Sequence, residues 1–192
     1  VDGLYRGEQS FLDWREQTYP GWTSDRVLAI AMSKAVSVNV ACYFLLETAS
    51  TYAGQLGEQE AAMKYKQWSG DLRVAINRSF HDEQAGLYRS YLLSGDGSRG
   101  LPVKRYDLLG QSLAILCGVA DSAQAARVIA SYPTGPFGPP VVWPQERNVP
   151  IYHNQAIWPF VTAYWIKAAG KVGNAAAIDA GVESLSGLAA VN

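Results

Sequence analysis

The sequence has few of the residues that build metal and disulfide sites. Its 192 residues include two cysteines and two histidines, and neither pair has the CxxC or His-rich spacing of a metal site. Cys42 and Cys117 each lie in an apolar stretch, which favours buried thiols over a disulfide. No metal or other cofactor is therefore expected.

Charge is also scarce, and it is balanced. The 16 basic and 17 acidic side chains leave a formal net charge of −1, and no long basic run indicates a nucleic-acid partner. No stretch approaches ~18 consecutive apolar residues, so no membrane span is expected. The composition points to a neutral ligand.

The bulk composition is that of a folded domain. Hydrophobic residues make up 48% of the chain and charged residues 17%, which excludes intrinsic disorder. The chain begins at Val1 and lacks the charged-then-apolar pattern of a signal peptide, so we expect a processed product or a fragment.

Apolar residues recur at helical spacing through most of the chain. The first predicted helix stops at Gly57, and one of its faces carries Val38, Ala41, Leu45, Ala49, Tyr52 and Leu56. The second follows at once, with a buried side made of Ala61, Tyr65, Trp68, Leu72 and Ile76. A turn at Gly86 and a short hairpin strand over Leu87–Tyr91 come next.

Four more helices complete the predicted pattern. The third, about 106–117, is apolar almost all round and should be deeply buried. Asp121 or Ser122 caps the fourth, about 123–131. A proline-rich passage, 132–150, cannot be helical. The fifth, about 155–171, and an Ala-rich sixth follow it, and one face of the fifth carries Ile157, Val161, Tyr164, Ala168 and Val172.

The lengths of the connections alternate. Short joins link the helices of each pair and predict antiparallel hairpins, whereas long stretches at 81–105 and 132–153 separate the pairs. This pattern gathers the long loops at one end, where function usually resides. No close sequence repeat accompanies it, which disfavours a TPR-like or HEAT-like solenoid.

Tryptophans concentrate in two non-helical segments. Four of the six lie in or beside residues 5–22 and 132–158, namely Trp14, Trp22, Trp143 and Trp158. Flat rings among polar side chains suit a sugar site, because rings cover the apolar faces of a pyranose. The alternative is that the rings plug the mouth of a helical bundle.

Three carboxylates lie among aromatic residues in the first segment: Glu8, Asp13 and Glu16. Aromatic surface desolvates a carboxyl group and raises its pKa, which suits a general acid. Glycoside hydrolysis needs such a donor and a second carboxylate. Any of the three could donate, but Arg6 and Arg15 could pair with Glu8 and Glu16, which leaves Asp13 as the leading candidate.

The second segment offers Glu146, which could equally form a loop salt bridge with Arg147. His153 and Asn154 could bond substrate hydroxyls, although Asn154 could simply cap the fifth helix. In KRYDLLGQ, capping is the default interpretation of Asp107.

Several runs resemble the six-hairpin glycosidases. YHNQAIWPF resembles their aromatic helix-start motif, and FLDWREQTYPGW resembles their acid-bearing loop, nearest to the bacterial relatives of glycoside hydrolase family 63. FHDEQAGLYRSYL and KRYDLLGQSLAILCGVAD are similar to an inserted hairpin and a later inner helix. These similarities run through the whole chain in the expected order.

The resemblance implies an all-α fold in which residues 1–192 form one partial (α/α)6 toroid of about three hairpins. It implies an inverting glycoside hydrolase that acts on a neutral oligosaccharide or glycoside, with Asp13 as the acid and a second carboxylate, for which Glu146 is the candidate, as the base. The residues implied to line the sugar subsite are Trp14, Trp22, Tyr152, His153 and Trp158. Further candidates for substrate contacts are Glu8, Arg15, Glu16, Trp143 and Asn154.

Half a toroid would leave apolar helix flanks uncovered, so we expect the missing half or another polypeptide to cover them. Two alternatives stay open. A sugar epimerase or isomerase would usually use paired histidines, yet only His153 is near the predicted site. A non-catalytic carbohydrate-binding or interaction module would retain the aromatic groove alone.

Overall fold

The computed structural model describes residues 2–7, 31–93, 101–145 and 155–191. The protein is mostly helical, as expected. The helices with defined bounds are α1 (Val36–Gln55), α2 (Gln59–Phe80), α3 (Leu108–Leu116), α4 (Ser122–Ser131), α5 (Pro159–Val172) and α6 (Ala175–Val191). The short strands are β1 (Lys34–Ala35), β2 (His81–Asp82), β3 (Leu87–Tyr88), β4 (Tyr91–Leu93), β5 (Leu101–Pro102), β6 (Tyr106–Asp107) and β7 (Val142–Trp143).

The helices pack as a row of three with partners beside it. Helix α3 lies between α1 and α5 and contacts both, while α2 packs against α1 and α6 packs against α5. The short joins therefore produce close hairpins in the first and third pairs, as predicted. The middle pair differs, because α3 contacts α4 only lightly and packs mainly against α5.

The core forms around α3, whose predicted deep burial is confirmed. Leu108 and Ala114 are fully buried, and Trp165 of α5 is the largest fully buried side chain. Burial of one large apolar side chain contributes ~1.5–3 kcal/mol, so the buried cluster that α3 and α5 share is a main source of stability.

The predicted apolar face of α1 is not its buried face. Leu45, Tyr52 and Leu56 are 65%, 60% and 79% exposed, whereas Val40 and Tyr43 are buried. Helix α1 is apolar on most sides, so spacing alone does not select the side that packs.

A polar anchor selects the buried side of α1. Asn39 is fully buried, and its amide donates to the carbonyl of Tyr5 and accepts from the N–H of Tyr5 at 2.8 Å. Trp68, which was predicted on the buried side of the second helix, is instead 46% exposed beneath Lys64. Tyr164, on the predicted apolar face of the fifth helix, is 43% exposed.

Helix boundaries follow local chemistry. Asp121 forms the predicted cap as a complete capping box with Gln124. Helix α5 begins at Pro159 and not near Gln155, because a residue before proline is disfavoured in helical conformation and Trp158 is extended.

Within the described residues, three small antiparallel sheets accompany the helices. The first has the order β1–β4–β5, with Lys34 opposite Leu92, and the others pair β2 with β3 and β6 with β7. Strands β1 and β6 run directly into α1 and α3. Gly86 lies in the β2–β3 turn with a φ of 72°, so the predicted hairpin is confirmed.

Helix α3 is tied to α5 at its C-terminal end. Lys171 of α5 donates to the carbonyls of Ile115 and Leu116, at the end of α3.

Cys42 and Cys117 are free and half-buried, and burial raises the pKa of both thiols. Within the described ranges, no helix is long and apolar enough to cross a membrane.

Candidate functional site

Helices α1, α3 and α5 begin at one end of the molecule, which we call the loop end. Each follows an extended residue, namely Ala35, Asp107 and Trp158. Short strands precede α1 and α3, and Ser90 and Val141, in the described parts of the two long connections, bond to residues at these helix starts. The described parts of those connections therefore lie at the end predicted from the alternation of connection lengths.

Backbone hydrogen bonds join the starts of α1 and α3. The N–H of Val36 donates to the carbonyl of Ser90 at 2.9 Å, and the N–H of Ser90 donates to the carbonyl of Arg105 at 2.7 Å. Residue 105 leads into β6 and α3, so these bonds fix the position of the start of α1 relative to the start of α3.

The start of α3 is joined to the approach to α5 in the same way. The N–H of Leu108 donates to the carbonyl of Val141 at 2.9 Å, and the N–H of Val141 donates to the carbonyl of Ala156 at 3.0 Å. The segment 141–143 therefore lies between two helix starts and is bonded to both sides.

Two predicted sugar-binding residues lie on this framework. Trp143 is in β7 opposite Tyr106 and is 39% exposed. Trp158 is half-buried against Val141 and Val142, and its ring centroid lies 5.9 Å from that of Phe160. Aromatic surface is thus available at the loop end, as expected for these two residues.

The other predicted site residues lie outside the described residues. They are Glu8, Asp13, Trp14, Arg15, Glu16, Trp22, Glu146, Tyr152, His153 and Asn154. The described residues that flank them are at the loop end: the N–H of Gly7 donates to the carbonyl of Ser33 at 2.9 Å, and Gln145 follows β7. Both segments therefore begin at the framework that holds Trp143.

A buried ion pair stabilises the N-terminal side of the loop end. Asp2 and Lys34 form a salt bridge in which each side chain is 10% exposed. Burial acts to raise the pKa of Asp2, but hydrogen bonds from Lys34 and the N–H of Leu4 outweigh it, so the pKa falls below 3.8. This carboxylate stays ionised near neutrality and is not a proton donor.

Asp82 forms a second buried charged group. Its carboxylate contacts Arg89 at 2.8 Å and accepts a hydrogen bond from the hydroxyl of Tyr106 at 3.0 Å and another from the N–H of Ala85. Burial acts to raise its pKa, yet these partners hold it below 3.8, while burial and Asp82 raise the pKa of Tyr106 to about 12. The group fixes the β2–β3 hairpin to β6.

Asp107 caps the start of α3, which confirms the default interpretation of this residue. Its side chain accepts from the N–H of Gly110, the third residue of α3, which satisfies one of the free donors at a helix start. Nearby, Tyr132 donates to the carbonyl of Pro140 at 2.8 Å, and burial raises its pKa well above 10.0.

Sequence reasoning missed the polar framework. Gln111 is fully buried in α3 and bonds both backbone groups of Tyr88, at 2.8 Å and 2.6 Å, as a neighbouring strand would. Arg105 is also buried, and burial lowers its pKa. The available signal was a polar residue inside an otherwise apolar predicted helix, which requires an internal partner.

The described part of the loop end provides aromatic surface and fixed backbone. Among the described residues, each carboxyl group with a resolved shift has a lowered pKa: Asp2, Glu47 and Asp82. In the part of the chain that the structure describes, no group of three or more His, Cys, Asp or Glu residues could hold a metal ion.

No family model matches this chain, and no curated protein matches it.

Proposed function

We propose that this protein is an inverting glycoside hydrolase that acts on a neutral oligosaccharide or glycoside. In this proposal α1, α3 and α5 are inner helices of part of an (α/α)6 toroid, and α2, α4 and α6 are outer helices. The support is the packing of α3 between α1 and α5, with each outer helix following its inner partner in the chain.

One observation carries the proposal. Trp143 and Trp158 lie at the end where three helices start, and they bracket the segment that contains Glu146. The segment that contains Asp13 begins after Gly7, which pairs with Lys34 beside the start of α1. Aromatic surface and both candidate carboxylates thus belong to chain segments attached to one framework.

The proposed chemistry uses two carboxyl groups. Asp13 protonates the leaving oxygen while Glu146 removes a proton from water, and that water attacks the anomeric carbon from the opposite face. An inverting pair needs a separation of ~6.5–9.5 Å to admit the water. Trp143 and Trp158 would cover apolar sugar faces and thereby orient the ring.

The proposal includes a helical partner. The uncovered apolar surface of α1, formed by Phe44, Leu45, Tyr52 and Leu56, supports a missing half of the toroid or another chain at that flank. Without this partner the site would be open, and the isolated chain could be inactive.

The test is a glycosidase screen of the full-length gene product. On a responsive substrate, Asp13→Asn and Glu146→Gln should each lower kcat by ~10²–10⁴-fold, because each removes a proton-transfer group. Asp71→Asn is the matched control, since Asp71 is exposed on α2 and bonds only Gln67 among the contacts described. Full activity in Asp13→Asn would contradict the assigned acid.

The stereochemical outcome and binding give two further readouts. Proton NMR during hydrolysis should show product of inverted anomeric configuration first, and retained configuration would contradict the inverting mechanism. Sugar binding without turnover in the full-length protein would favour the non-catalytic carbohydrate-binding module instead.

A further inference from the structure

A groove separate from the predicted catalytic segments lies between residues 134–138 and α6. Its volume is about 520 Å³, within the ~300–1,000 Å³ typical of ligand pockets. Residues 134–138 form a turn that makes one wall of the groove. One face of α6, which includes Glu183 and Ser184, makes the other wall. The Oγ of Ser184 donates to the carbonyl of Phe137 at 2.6 Å, which holds the two walls together.

Phe137 presents an aromatic ring on a fixed turn. The backbone on either side is closed by reciprocal hydrogen bonds between Gly135 and Gly138, at 3.0 Å and 3.1 Å, yet Phe137 is 76% exposed. The hydrogen-bonded turn fixes the backbone that carries this exposed ring, so the backbone needs no further ordering when a ligand stacks on it.

The chemistry of the lining favours a neutral polyol with an apolar face. Glu183 is the one ionisable side chain among the described residues that line the groove, and Thr134 adds a hydroxyl. A carboxylate accepts hydrogen bonds from hydroxyl groups, and an aromatic ring packs against the C–H face of a pyranose. Both features occur on facing walls.

The groove adjoins the loop end. A Cβ built on Gly138 would lie 4.0 Å from Ile157, the residue before Trp158. From Gly138 the chain runs through Val141 to Trp143. A chain of sugars that contacts Trp158 could therefore continue toward Phe137.

We propose that this groove is a remote subsite for one pyranose unit of a neutral oligosaccharide, with Phe137 as the stacking surface and Glu183 as a hydroxyl acceptor. The choice of an oligosaccharide rests on the proposed function, but binding at the groove does not require hydrolysis. The subsite would select for substrates of more than one sugar unit.

The test is an NMR titration of the full chain with maltotriose and, separately, cellotriose at millimolar concentration. At least one should shift the amide signals of Gly138 and Glu183. Phe137→Ala should weaken that binding by about tenfold, Glu183→Gln should weaken it less, and Phe137→Trp should retain it. Val182→Ala is the matched control, because Val182 is exposed on α6 and does not line the groove.

The outcomes separate this inference from the proposed enzyme activity. Trisaccharide binding at the groove would sustain the subsite whether or not this chain hydrolyses the sugar, because the hydrolase is tested separately on the full-length gene product. If the protein hydrolyses oligosaccharides and Phe137→Ala changes KM equally for long and short substrates, the subsite is wrong. Absence of shifts with both trisaccharides would also overturn it.

Discussion

The two ends of the helical row are built differently. At the turn end, where the short joins lie, α1, α3 and α5 each end at a glycine with positive φ: Gly57 at 82°, Gly118 at 82° and Gly173 at 77°. A Cβ at any of these positions would meet no atom within 4 Å. The same local structure, a glycine in left-handed conformation after the helix, therefore occurs at three reversals of chain direction.

At the loop end, by contrast, α1, α3 and α5 each begin in a different way. Helix α1 continues from a strand at Ala35, α3 is capped by Asp107, and α5 starts with a proline after Trp158. Buried charge and exposed aromatic surface also lie there. Reversal of the chain needs only one repeated geometry, whereas recognition needs specific side chains in specific places. This difference is the reason why we propose the site at the loop end and not at the turn end.

The largest expected effect is on the polar framework of the loop end. Gln111→Leu leaves the buried N–H and carbonyl of Tyr88 without partners, which should lower the free energy of unfolding by about 2–4 kcal/mol. Gln67→Leu is the control, because Gln67 is exposed on α2 and should change stability by less than about 0.5 kcal/mol. Urea unfolding measures both, and equal effects would contradict a special role for Gln111.

A smaller effect is expected at Asp82, and it should depend on pH. The pKa of Asp82 is lowered in the folded state, so its stabilisation is present above its ordinary value of 3.8 and is lost as the pH falls below it. Asp82→Asn should cost about 1.5–3 kcal/mol at neutral pH and should flatten the loss of stability below about pH 4. An unchanged acid dependence in urea unfolding would show that this carboxylate is not responsible.

The smallest of these effects is expected at the turn end. Gly118→Ala introduces no clash, so its cost should be only the left-handed backbone strain, about 1 kcal/mol. The thermal unfolding midpoint should fall by a few degrees. A much larger loss would mean that the turn end is as sensitive to side-chain identity as the loop end, and the comparison between the ends would fail.

Local signals predicted much of the helical pattern. The stop at Gly57, a cap at Asp121 or Ser122 and the burial of α3, which is apolar almost all round, each follow from one or a few adjacent residues. Each is confirmed, with Asp121 as the cap. The apolar spacing, which includes Ile157, predicts that the fifth helix begins near Gln155, whereas α5 begins at Pro159. Local chemistry outweighed periodicity there.

Tertiary contacts, and the helix faces that they bury, were harder to predict from the sequence. The buried side of α1 depends on Asn39 bonding Tyr5, 34 residues away, and spacing along one helix carries no information about that distant partner. The same limit applies to the site. Aromatic surface at Trp143 and Trp158 could be anticipated, but the pairing of Asp82 with Arg89 and Tyr106 depends on how the hairpin meets β6.

The two-sided bonding of segment 141–143 has a consequence for how this protein can evolve. Leu108 anchors it on one side and Ala156 on the other, so the framework is closed on both sides of residues 144–155. Residues between two fixed anchors can change in sequence or number at little cost to the scaffold. Ligand preference could thus diversify in this segment while the helices that support it stay the same.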